Sequence, residues 1–156
     1  MFRSQAAETF FKNRRNKDVE IQSCGTWVEK EGLSGKKLKE FPELENFLEV
    51  MKEKSFDISE NVCKPITSEL ADWADKIISM AEKDESPDYL INIPQVTFWK
   101  VKNPDNLTKE FARETVEQIS KLVSLLKYKQ IVNYETHRIF AQLSRGQTEL
   151  YSKDSS

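Results

Sequence analysis

Two cysteines, one histidine and four glycines leave a chain of 156 residues with few means for several kinds of chemistry. Cys24 and Cys63 lie far apart without C-x-x-C spacing, and His137 is distant from both, so no zinc ligand set forms. Neither a metal nor a cofactor is expected. Unpaired thiols suit a reducing compartment, and a cytoplasmic location is the expectation. No apolar run nears the roughly 18 residues of a membrane span, and the N-terminus lacks the apolar core of a signal peptide. An excess of either charge is missing too: 24 basic residues face 26 acidic ones. That balance gives no general attraction to nucleic acid or to an anionic membrane, so neither is an expected partner. The oligomeric state is left open.

What is present is 38% hydrophobic and 32% charged residues over the length of a single domain. Ala6, Ala7, Phe10, Phe11 and Arg14 recur at helical steps and predict a helix over 3–15. The stretch 19–26 (VEIQSCGT) is short, partly β-branched and closed by Gly25, as a strand running into a turn would be. A polar connection over 30–43 leads to a helix marked by Leu44, Phe47, Leu48 and Met51, entered through Pro42. A turn over 56–65 precedes a helix over 66–74 with Thr67 as N-cap. Apolar runs at 75–82 and 96–102 read as further strands, the second stopped by Asn103-Pro104. A long helix begins at Thr108, with Ala112, Val116, Ile119, Val123 and Leu126 on one face. Ile139, Phe140 and Leu143 suggest a last helical stretch, with His137 facing solvent, before a polar tail. Helices alternating with short apolar strands define an α/β fold with a small parallel sheet.

The order R-S-Q-x-A-E-x-x-F, S-C-G-T, D-I-S…K-P-I-T-x-E-L, A-D-K-I-I-S-M and W-K-V-x-N-P resembles the low-molecular-weight protein tyrosine phosphatases and their arsenate-reductase relatives. The resemblance covers about 2–128. It implies a three-layer α/β/α fold of the phosphotyrosine protein phosphatase I kind and divides the chain into that domain, 1–128, and a helical extension with a polar tail, 129–156. In that family a C-x5-R-[ST] loop joins the first strand to the first helix. Backbone N–H groups cradle a phosphate dianion, the arginine grips two oxygens, and a thiolate attacks phosphorus. Arg3 and Ser4 match the last two positions of that loop as phosphate-binding residues. The cysteine would fall upstream of Met1. The expectation is thus a chain lacking the family's first, central strand, with a groove between the strands at 19–26 and 75–82. Without the resemblance, Arg3 and Ser4 read as exposed residues at the start of a helix.

In the W-x-x-x-D-P motif of the family the aspartate is the general acid. Here Asn103 stands at that position and cannot supply a proton, while Asp105, two residues on, is the candidate substitute. By itself, Asp105-Asn106 reads as the polar approach to a helix. Cys24 stands where a small residue is common and reads as a buried structural thiol. Cys63 reads as a surface or half-buried bystander. The resemblance implies a cysteine-dependent phosphatase of phosphotyrosine or a related phosphomonoester, a hydrolase inactive in this chain as written, whose partner is a phosphorylated substrate or an oxyanion. A non-catalytic anion-binding or vestigial relative, and an arsenate reductase using an external thiol, remain open alternatives.

Overall fold

The computed structural model describes residues 2–14, 19–101 and 107–126, and the backbone of 137–142. Helix α1 (Phe2–Arg14) buries nearly its whole circumference over the first ten residues and leads to β1 (Val19–Ser23). The connection after β1 is less polar inside than its sequence suggests: Leu33, Leu38 and Phe41 are all buried. Its turns use Gly32 and Gly35, both in the left-handed region that favours glycine. Two short 3-10 turns then feed α2 (Glu45–Glu53), with Pro42 in the first turn of the second.

Helix α2 ends on Ser55 at φ 69°. Ser55 N–H donates to the Lys52 carbonyl and Phe56 N–H to the Met51 carbonyl, at 2.8 and 2.9 Å. This is a Schellman ending in which serine takes the position usually held by glycine.

Helix α3 (Ser68–Trp73) starts as expected, the Leu70 N–H donating to Thr67 Oγ1 at 3.1 Å. Next come β2 (Lys76–Ser79), the one-turn helix α4 (Asp88–Ile91) and β3 (Val96–Phe98). Thr108 caps α5 (Lys109–Leu125) by accepting from the Phe111 N–H. The buried stripe of α5 is Ala112, Thr115, Val116, Ile119 and Val123.

The last strand corrects two expectations. Residues 137–142 form β4 (His137–Gln142), not a helix. The sheet has four strands in the order β1-β4-β2-β3, and every pairing is parallel. Ile21 pairs with Ile139, and Ile77 pairs with Phe140, so β4 lies between the two strands that were expected to flank a gap. The central strand expected to be missing is replaced, in space, by a segment from the far end of the chain. Two facts favour that outcome. A six-residue run containing isoleucine and phenylalanine has strand length and strand composition, and the facing edges of β1 and β2 carry backbone groups that need partners. Within the stretch 129–156, read from sequence as a helical extension and polar tail, His137–Gln142 supplies a strand to the sheet.

Two apolar clusters fill the interior. One gathers α1, β1, α2 and α5 around Phe2, Phe47, Leu44 and Ile119, and includes Ile78 of β2. The other gathers α3, β2 and α4 around Leu90 and Ile77. Adjacent residues of one strand enter different clusters because successive side chains point to opposite faces of a sheet. Among the described residues no helix is long and apolar enough to cross a membrane.

Candidate functional site

In an open parallel sheet, ligand chemistry gathers where strands end and helices begin. Here the carboxyl end of β1 meets the first turn of α1. Ser4 and Gln5 of the helix lie against Ser23, Cys24, Cys63 and Lys64, with no room between them for a water molecule. The backbone is knitted around the same point: Gly25 N–H donates to the Lys64 carbonyl at 2.9 Å, and Ile66 N–H to the Gly25 carbonyl at 3.1 Å.

Arg3 and Ser4 are each only 1% exposed, which overturns their reading as exposed terminal residues. The Arg3 guanidinium donates from Nη1 to the Val101 carbonyl oxygen at 2.8 Å. Burial lowers its pKa to about 10, against the opposing pull of Glu82 and Glu85. The group is therefore still a cation at neutral pH. Val101 lies two residues ahead of Asn103, so the fold brings the arginine of the first motif against the segment leading to the last one. Both Asn103 and Asp105 lie outside the described residues.

Trp99 of the same segment donates its backbone N–H to the Ser79 carbonyl at 2.7 Å, and its ring stacks on Phe11 of α1 with centroids 6.2 Å apart. A second fastener joins α1 to the sheet. Glu8, on the next turn, accepts from the Ser23 hydroxyl with one carboxylate oxygen and from the Lys12 ammonium with the other. Gln5 completes the set, donating from Nε2 to the Val62 carbonyl at 3.0 Å.

The thiols do not behave as nucleophiles in waiting. Cys24 is 3% exposed, and burial pushes its pKa far up, with Lys64 offsetting only part of that effect. Cys63, read from sequence as a surface or half-buried bystander, is in fact buried, and burial raises its pKa too. The difference follows from its backbone: Cys63 N–H donates to the Lys36 carbonyl, and its own carbonyl accepts from Gly35 N–H, drawing the residue inward. A buried protonated thiol is a poor attacking group. Among the described residues no three His, Cys, Asp or Glu side chains stand together in a way that could hold a metal ion.

Sequence reasoning placed Arg3 and Ser4 at this edge but passed over Glu8, Gln5 and the Val101 carbonyl. Glu8 had a legible signal, a carboxylate flanked in the chain by Ala6, Ala7, Thr9, Phe10 and Phe11. The acceptor at Val101 had none, since a backbone carbonyl is common to every residue. No protein-family model, curated protein or solved structure matches the chain.

Proposed function

We propose that this chain is a non-catalytic relative of the low-molecular-weight protein tyrosine phosphatases. In this reading it has the three-layer α/β/α arrangement of the phosphotyrosine protein phosphatase I kind, and the arginine of the phosphate motif fastens the fold instead of gripping a substrate. The parallel sheet, the first turn of α1 at its carboxyl edge, and apolar clusters on both faces of β2 support the fold. One observation carries the function: Arg3 is buried with its guanidinium committed to the Val101 carbonyl. Two buried thiols of raised pKa and an asparagine at the general-acid position argue in the same direction.

A second reading keeps an oxyanion at the site. It rests on the Arg3 charge, held beside the first turn of a helix whose N–H groups favour anions. Titrating the full chain with inorganic phosphate and with arsenate, followed by NMR at the backbone amides of Arg3 and Ser4, separates the two. The fastener reading expects no saturable shift at those amides. A saturable shift there establishes an oxyanion site and overturns the fastener.

A further inference from the structure

Helix α1 and the turn over 55–62 enclose an open groove of about 650 Å³, inside the range of roughly 300–1,000 Å³ typical of small-molecule sites. Its polar groups fall into two sets. One set is already engaged. The Thr9 hydroxyl donates to the Gln5 carbonyl, Asp57 accepts from the Ser59 N–H, and Glu60 holds both Lys37 and Lys39. Glu8 is taken by Ser23 and Lys12. The other set is open: the Asn13 and Asn61 carboxamides and the Lys64 ammonium make no side-chain hydrogen bond or ion pair among the described residues. Phe56 and Ile58 supply an apolar floor, with the Phe56 ring held edge-on by Phe10.

We propose that this groove binds a small phosphorylated polyol, in the class of the sugar phosphates. Lys64 supplies the one uncommitted positive charge in the lining and marks the anionic end. A single exposed ammonium holds a bare anion weakly, so affinity has to come from the body of the ligand. Each carboxamide offers two donors and an acceptor, a pattern that hydroxyl groups, which both donate and accept, can satisfy in full. The carboxylates of Asp57 and Glu60 keep lone pairs for further hydroxyl donors. Aliphatic faces of a polyol suit the narrow floor formed by Phe56 and Ile58.

The test uses the full chain with glucose 6-phosphate as probe, and inorganic phosphate and glucose as separate arms. Binding is followed by calorimetry and by the NMR signals of the Asn13 and Asn61 side chains. The expected result is saturable binding of glucose 6-phosphate, with each half of the molecule at least about tenfold weaker. Lys64→Gln should weaken binding about fivefold, and Asn61→Ala or Asn13→Ala about three- to tenfold each. Asn13 and Lys64 are exposed and Asn61 is half-buried, and none of the three side chains makes a hydrogen bond or ion pair among the described residues, so the variants should keep the circular dichroism of the parent. No saturable shift up to about 10 mM, or equal affinity in the parent and in Lys64→Gln with Asn61→Ala, overturns the proposal. Shifts at Arg3 and Val101 instead of Asn13 and Asn61 also overturn it. They would place the ligand at the carboxyl edge and count against the fastener reading, not in favour of the groove.

Discussion

Helix α1 buries nine of its thirteen residues, including Arg3, Ser4, Gln5 and Glu8, whereas α5 buries five of seventeen along one stripe. The polar side chains of the two helices consequently have different duties. Those of α1 reach out of the helix to fixed points elsewhere: Val101, Val62 and Ser23. Those of α5 pair on the surface with α2, as Arg113 and Lys109 do with Glu53. A buried polar group without its partner pays a desolvation penalty, but an exposed one simply returns to water. The same types of side chain therefore lock the inner helix and merely decorate the outer one. The inner helix also packs against β4, so segments from opposite ends of the sequence meet at the middle of the sheet.

Removing β4 breaks the inner region most completely. A chain ending at Leu126 exposes the facing edges of β1 and β2, and such edges promote association. We expect it to lose cooperative urea unfolding and to sediment as aggregates, while the full chain unfolds in one transition. A monomeric, cooperative 126-residue chain would show that β4 adds nothing the core requires. Arg3→Met should come next. It keeps much of the side-chain volume but leaves the Val101 carbonyl without its donor, a loss of about 2 kcal/mol in urea unfolding. Arg113→Ala on the outer helix should leave the urea midpoint unchanged. Equal effects from the two substitutions would abolish the distinction between the helices.

Much of this fold was legible in the sequence because most of it rests on local signals. Thr67 is an N-cap as read, the long helix starts next to Thr108 as expected, and the apolar steps from Ala112 to Val123 form the buried stripe of α5. The run around Ile77 and Ile78 is a strand, though shorter than its apolar extent. The failures share a cause. Ile139 and Phe140 fit a helix or a strand about equally well by themselves, and only the two unpaired edges far away in sequence decide for the strand. Arg3, at the start of the chain, gives no local sign of burial, because its acceptor is a backbone carbonyl 98 residues away. Cys63 sits among polar neighbours, and its burial follows from hydrogen bonds to Gly35 and Lys36.

Alkaline pH sharpens the comparison by a smaller amount. Burial raises the pKa of both thiols in the fold, so the unfolded chain releases their protons first. Stability is unaffected by them below about pH 9 and falls above it, by up to about 1.4 kcal/mol per pH unit for each fully shifted thiol. Between pH 8 and pH 10, Cys24→Ala should therefore lose about 1 kcal/mol less than the parent. An identical decline in both proteins would mean that Cys24 ionises as freely in the fold as outside it. Smaller still is the effect at Ser55, whose left-handed backbone disfavours any side chain. Ser55→Gly should raise stability by about 0.5–1 kcal/mol. A loss in its place would show that the serine side chain makes up for the backbone strain.

The central claim is that Arg3, which the proposed relationship matches to a phosphate-loop arginine, serves the fold and not a substrate. Its most direct test is the initial rate of p-nitrophenyl phosphate hydrolysis by the full chain, with Arg3→Lys measured alongside. The account predicts a rate indistinguishable from buffer for both proteins, since no accessible thiolate is present to attack. Saturable turnover by the parent that disappears in a folded Arg3→Lys variant would contradict it.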